Sequence, residues 1–148
     1  METMELHRGR LLDHVQLVVR DLPAAERFYT AVAAGLGIPV GGRGEGFVWI
    51  DELVLSALDS PAALGEPTGR HHLAFQAPDR ETVEAVYQAA LAAGGRDNGA
   101  PGLRPYHPDY YAAFVLDPDG NNIEVVYHGP ARRSAPSVQI SFDLQQGA

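Results

Sequence analysis

His14 and His72 occupy the same place in two copies of one pattern. Asp13-His14-Val15-Gln16-Leu17-Val18-Val19-Arg20-Asp21 is echoed 58 positions later by His71-His72-Leu73-Ala74-Phe75-Gln76-Ala77-Pro78-Asp79, which sets His14 on His72 and Asp21 on Asp79. The register continues, with Glu26-Arg27-Phe28-Tyr29 falling on Glu84-Ala85-Val86-Tyr87. A duplicated unit with a histidine at the same position in each copy can bring two imidazoles to one point, and paired imidazoles are metal-ligand chemistry. A third candidate ligand, Glu124, ends the run Asp117-Pro118-Asp119-Gly120-Asn121-Asn122-Ile123-Glu124. That run is first of all a good turn, and it delivers a carboxylate into the segment that follows.

Each copy reads as strand, helix, then further strands. Leu12 to Val19 alternates and is rich in branched residues, which predicts a strand. Asp21 is a plausible N-cap with Pro23 near the first turn. Ala25, Phe28, Tyr29, Val32 and Leu36 then follow helical spacing until Gly35 and Gly37. The second copy gives strand Leu73 to Gln76, cap Asp79, apolar Val83, Val86, Tyr87, Ala90 and Leu91, and a stop at Gly94-Gly95. A Gly-rich connection and a hairpin follow each helix: Gly46 to Ile50 and Leu53 to Leu58 around Asp51-Glu52, then Tyr110 to Leu116 and Ile123 to Tyr127 around Asp117 to Asn121. Asp59 to Gly69 is the expected linker, and Val138 to Phe142 alternates as an extra edge strand would.

Length and composition bound the function. With 148 residues, 45% hydrophobic and 20% charged, the chain suits one globular domain with a core of its own. A net charge of -8 argues against nucleic acid or an anionic membrane as partner. No stretch reaches the length of a membrane span, and the polar opening Met1 to Glu5 does not read as a signal peptide. A cytoplasmic protein is the expectation. The sequence holds no cysteine, so no disulfide, thiolate nucleophile or Cys-ligated metal is available. All 11 basic residues are arginine, which removes Schiff-base lysine chemistry and a P-loop lysine.

Two β-α-β-β-β units in tandem over about residues 11–127 resemble the vicinal oxygen chelate superfamily, which includes glyoxalase I, extradiol dioxygenases, fosfomycin-resistance enzymes and bleomycin-resistance proteins. The resemblance implies an α+β fold in which tandem βαβββ modules (about 11–58 and 70–128, together a single domain over 11–128) form a curved, open-barrel-like mixed sheet. Its helices lie on the convex side, its concave face holds a divalent metal, and a C-terminal extension covers 129–148. It also implies a homodimer.

Strand alternation tests whether the ligands share a face. His14, Gln16 and Val18 fall together, as do His72, Ala74 and Gln76, with Leu17, Val19, Leu73 and Phe75 opposite. In the last strand Ile123, Val125 and Tyr127 take the helix side, which turns Glu124 inward. His14, His72 and Glu124 are therefore the expected metal ligands, a two-His, one-carboxylate set with open positions for Fe, Mn, Zn or Ni. His71 should face away by alternation, and His7 and His128 read as surface residues. Four-ligand glyoxalases take a second Glu from the last strand of the first module. Leu53 to Leu58 holds no acid there, and Glu52 comes too early.

Among three-ligand relatives, the lysine-free chain cannot reproduce the phosphonate site of fosfomycin thiol transferases. The extradiol dioxygenase signature is a nearer match, through His107, Asp117-Pro118-Asp119-Gly120 and Glu124, although Phe114 stands where the signature has Tyr. The resemblance makes His107 an acid/base. A phenol from Tyr110, Tyr111 or Tyr106 could replace the missing one, and Tyr111 joins His107 as the candidate catalytic pair. Trp49, Phe47 and Phe114 could wall a planar substrate. The expectation is a divalent-metal enzyme acting on a small oxygenated substrate, dioxygenase-like or a lyase/isomerase. The rival is a metal-free drug- or metabolite-binding protein of the bleomycin-resistance type.

Overall fold

The computed structural model describes residues 3–144. Its elements run β1 (Thr3–Arg8), β2 (Val15–Val19), α1 (Leu22–Gly35), β3 (Gly42–Gly44), β4 (Phe47–Ile50), β5 (Leu53–Ala57), β6 (His72–Gln76), α2 (Arg80–Ala92), β7 (Arg96–Leu103), β8 (Tyr111–Leu116), β9 (Asn122–Tyr127) and β10 (Val138–Asp143). Both helices start where the sequence places an acceptor. The Asp21 carboxylate takes the Ala24 N–H at 3.1 Å, and Asp79 takes that of Thr82 at 2.7 Å, each satisfying a backbone donor with no partner inside its helix.

The sheet order repeats as the sequence does. One four-stranded sheet is ordered β2-β5-β4-β3 and the other β6-β9-β8-β7. In each, the first strand of the module pairs in parallel with the last, and the other pairings are antiparallel. The fold is α+β. The two sheets are separate, and neither closes into a barrel, so the expected single curved sheet is realised as two sheets in tandem. β1 and β10 form a further two-stranded antiparallel ribbon with Leu6 opposite Ile140. β10 is the strand anticipated near the C-terminus, whereas β1 carried no signal that was read.

Alternation decides which face is buried. Leu17, Val19, Leu53, Leu55, Val48 and Ile50 pack with α1, and Ala113, Val115, Ile123 and Val125 pack with α2, all in one continuous core. Phe28 and Tyr29 are its largest fully buried side chains. The helices meet closely at Gly35, where a Cβ would lie 2.8 Å from the Val86 side chain. The Tyr29 hydroxyl donates to the buried Asp117 carboxylate at 2.5 Å, joining the first helix to the last turn. Among the described residues, no helix is long and apolar enough to cross a membrane.

Two details differ from the sequence reading. The first strand starts at Val15 rather than Leu12, because its partner β5 begins only at Leu53, opposite Val15. Leu12, Asp13 and His14 therefore precede the strand. The Gly-rich connections hold the missing third strands, β3 and β7. Glycine is needed in β3 because the Trp49 and Phe47 rings lie across it, so that a Cβ on Gly42 or Gly44 would overlap a ring. Gly42→Val should displace the single tryptophan, shift its emission to the red and cost about 1–3 kcal/mol by overpacking. Unchanged emission and unchanged urea stability would show that the ring does not depend on the bare backbone.

Candidate functional site

The first and last strands of the second module build the site. In the β6–β9 pairing His72 lies opposite Asn122 and Ala74 opposite Glu124, which puts His72 and Glu124 on one face, two residues apart along the sheet. The His72 Nε2 is 3.0 Å from Glu124 Oε1. Its Nδ1 is 2.9 Å from the Asn122 carbonyl oxygen. A carbonyl can only accept, so Nδ1 carries a proton and Nε2 is the atom turned to Glu124. At that distance Nε2 either donates a proton to the carboxylate or shares a cation with it. The ring is half exposed, whereas Glu124 is 4% exposed.

The second oxygen of Glu124 is held by the Tyr110 hydroxyl in a short hydrogen bond. Burial, and then the bond to Glu124 and its charge, push the Tyr110 phenol up to about 12. Phe114, opposite Glu124 in the β8–β9 register, stacks over His72 with ring centroids 6.1 Å apart. Tyr110 also meets His107 and His128 edge to face. The His107 Nδ1 donates to the Pro108 carbonyl at 2.8 Å, and its Nε2 lies 2.8 Å from Nδ1 of His128. The two imidazoles are therefore hydrogen-bonded to each other at the edge of the site, and His128 is the exposed partner of His107.

Tyr111 is not part of this group. It lies on the helix side of β8, and its hydroxyl donates to Glu84 of α2 at 2.7 Å. Strand alternation is the cause: adjacent tyrosines cannot face the same way, and Tyr110 is the one beside Glu124. The register makes the choice, because Tyr111 opposes Tyr127 on the helix side of β9.

His14 sits elsewhere in the chain, just before β2. It is exposed, and its Nδ1 donates to Asp13 at 2.7 Å, the contact that chiefly holds the Asp13 carboxyl below its ordinary range. Like His72, it has Nδ1 engaged by a fixed oxygen. Among the described residues no three His, Asp or Glu side chains converge as a metal-holding group, so one chain brings together His72 and Glu124 and leaves His14 apart. Two side-chain atoms able to act as ligands, His72 Nε2 and Glu124 Oε1, meet at one point.

The rest of the first module's equivalent face is uncharged. Val54 pairs with Gln16 as Glu124 pairs with Ala74, so Val54 is the counterpart of Glu124. The Gln16 amide instead donates to the Ser56 and Ser60 hydroxyls at 2.8 and 3.2 Å. Glu52 stays at its turn and accepts the Gly9 N–H at 3.1 Å. Phe47 and Trp49 stack on this sheet, away from the aromatic Phe114. His71 is directed at Asp117, 3.8 Å away, and burial lowers its affinity for a proton against the opposing pull of that carboxylate.

The family described as the Glyoxalase/Bleomycin resistance protein/Dioxygenase superfamily matches residues 11–125. A glyoxalase/bleomycin resistance protein from Albidiferax ferrireducens T118 is 30% identical with a TM-score of 0.64, over 79% of this chain and 98% of that one. A glyoxalase/bleomycin resistance protein/dioxygenase family enzyme from Burkholderia phytofirmans PsJN is 27% identical with a TM-score of 0.61, over 77% and 95%. A glyoxalase-related enzyme from Fulvimarina pelagi, 22% identical with a TM-score of 0.61 over 79% and 87%, shares the fold. No curated protein matches. Both strands of the terminal ribbon lie outside the matched span.

Tyr110→Phe would leave one oxygen of a buried carboxylate without its donor. In chelator-treated protein it should lower stability by about 1–3 kcal/mol, read as a fall in the urea midpoint at unchanged slope. An unchanged midpoint would mean that the phenol does not hold Glu124.

Proposed function

This chain belongs to the Glyoxalase/Bleomycin resistance protein/Dioxygenase superfamily, and from the geometry of its second module we propose that it is a divalent-metal-dependent enzyme acting on a small oxygenated substrate. The observation that carries this reading is the contact of His72 Nε2 with Glu124 Oε1, two atoms able to act as ligands at one point, while His72 Nδ1 donates to the Asn122 carbonyl. Outer contacts of this kind fix a ligand's tautomer and aim.

His72 and Glu124 would hold the ion, and His14 of a second copy would complete the set. His14 is exposed, has its Nδ1 proton engaged by Asp13, and meets no other ligand in its own chain. The protein would therefore work as a homodimer. A divalent ion there would supply Lewis acidity toward adjacent substrate oxygens. Tyr110 keeps Glu124 from rotating, and Phe114 covers one side of His72. The hydrogen-bonded His107–His128 pair would offer a proton-transfer group at the rim. A dioxygenase-like or lyase/isomerase reaction fits this set better than thiol transfer.

Metal analysis of protein purified without chelator tests the reading. Stoichiometric Fe, Mn, Zn or Ni should be retained by the wild type and lost from His72→Ala and from His14→Ala. Mixing these two variants should restore about one intact site per mixed dimer, because each copy would supply what the other lacks. Absence of stoichiometric metal would leave a metal-free binding protein as the better account, and retention in His72→Ala would remove His72 from the ligand set and overturn this reading. No recovery on mixing would sink the shared site. Where iron is retained, oxygen uptake with a catechol panel separates ring cleavage from isomerisation.

Asp13→Ala tests the aim of His14. It should weaken metal binding by roughly 10–100-fold, as loss of an outer-shell partner does, while the thermal midpoint of the metal-free protein stays put. Unaltered affinity would mean that Asp13 does not orient a ligand.

A further inference from the structure

Arg104 stands on the same face of the second sheet as His72 and Glu124. Leu103 pairs with Tyr111, and the Arg104 N–H donates to the Tyr110 carbonyl at 2.8 Å. Arg104 therefore falls opposite Tyr110, on the face that Tyr110 shares with Phe114 and, across the β8–β9 pairing, with Glu124. Its guanidinium carbon lies over the Phe114 ring, 5.4 Å from the centroid. The strands run β6-β9-β8-β7, so the row reads His72, Glu124, Phe114, Arg104. A second copy's His14 would come to His72 at the β6 edge, and Arg104 is at the opposite end of that row.

The end strand is shaped to hold this side chain. Pairing of β7 with β8 shifts register between Asp97 and Gly99 and again between Gly99 and Gly102, and bulges of this kind re-aim side chains beside active sites. A Cβ on Gly102 would lie 3.2 Å from Nη1 of Arg104, and one on Gly99 3.4 Å from Nη2. Bare backbone thus lets the guanidinium settle close against the strand. The Ala100 carbonyl accepts from Nη2 at 2.6 Å. Among the described residues, Nη1 and Nε have no acceptor and no carboxylate forms an ion pair with Arg104. The half-buried side chain is anchored on one side and has N–H groups to offer on the other.

A guanidinium with N–H groups to spare suits a carboxylate, which it binds through charge-assisted bonds. In a chain of net charge -8, a local cation also favours the approach of an anion. Neighbouring strands are roughly 4.8 Å apart, so two spacings, roughly 10 Å, separate the Arg104 end of the site from Glu124. We infer that Arg104 is a specificity-determining residue, and that the substrate carries a carboxylate at the end remote from its two adjacent oxygens. The body between them is about as long as a benzene ring and crosses Phe114. Arg104 holds the carboxylate and so directs the oxygens toward His72 and Glu124. The oxygen end rests on the metal reading proposed above, whereas the carboxylate end stands on Arg104.

The test uses the full chain, loaded with zinc and, separately, freed of metal. The probes are 3,4-dihydroxybenzoate and its neutral counterpart 3,4-dihydroxybenzamide, titrated by calorimetry. The acid should bind at least about tenfold tighter than the amide to both forms. Arg104→Gln should bring the acid down to the amide's affinity with metal content unchanged, and His72→Ala should lose the metal and keep the ratio. An acid no tighter than the amide in the wild type would overturn the inference, as would absence of binding by both probes. A preference that survives Arg104→Gln would place the anion elsewhere and overturn it too. A wild type that retains no metal yet shows the Arg104-dependent preference would count against the metal reading and support this one. Should Arg104→Gln fail to fold, Arg104→Met, whose stem can still cover Phe114, carries the same comparison.

Discussion

Parallel pairing of the first strand of each module with its last is the constraint from which the site follows. A β-α-β-β-β chain that places its first and fourth strands side by side must bring residues dozens of positions apart into a fixed register. His72 reaches Glu124 only because Ala74 is opposite it. A slip of one residue would turn the carboxylate to the helix side, among Ile123 and Val125. The helix face opposes such a slip, since every residue there is part of the shared core. Apolar burial on one face therefore specifies polar geometry on the other.

The modules are joined by packing and by one buried polar contact. Phe28 and Gly35 of α1 lie against the second module at Gly95 and Val86. Tyr29 donates to Asp117, whose other oxygen takes the Asp119 and Asn121 N–H groups. Asp117 is thus the acid that closes the turn leading into β9, and its partner comes from the first helix. A buried carboxylate is tolerable because each oxygen has donors. This turn sets where β9 begins, so the first module helps to fix the position of Glu124.

Duplication has left the two faces chemically unequal. Val54 stands where symmetry would put an acid, and Gln16, Ser56 and Ser60 satisfy one another there. The first module thus offers one imidazole just before its strand, and the second offers an imidazole, a carboxylate and a phenol. Both histidines share a finer feature, an Nδ1 proton given away to a fixed oxygen, Asp13 in one case and the Asn122 carbonyl in the other. Neither acceptor could be assigned from residue types, because one of them is backbone.

The sequence by itself determined the module repeat, the capped helices, the hairpins and the inward face of His72 and Glu124. These depend on period and local turn chemistry, which are written in consecutive residues. It could not place β3 or β7, since glycine-containing strands show no alternation and are defined by their pairing with β4 and β8. It could not choose Tyr110 over Tyr111 until the register fixed which faced Glu124. Only the tertiary structure decided that His14 stands apart from His72 within one chain, that His107 pairs with His128, and that Arg104 lies over Phe114. Each of these depends on how separate elements are set against one another, a relation between distant residues that no local pattern encodes.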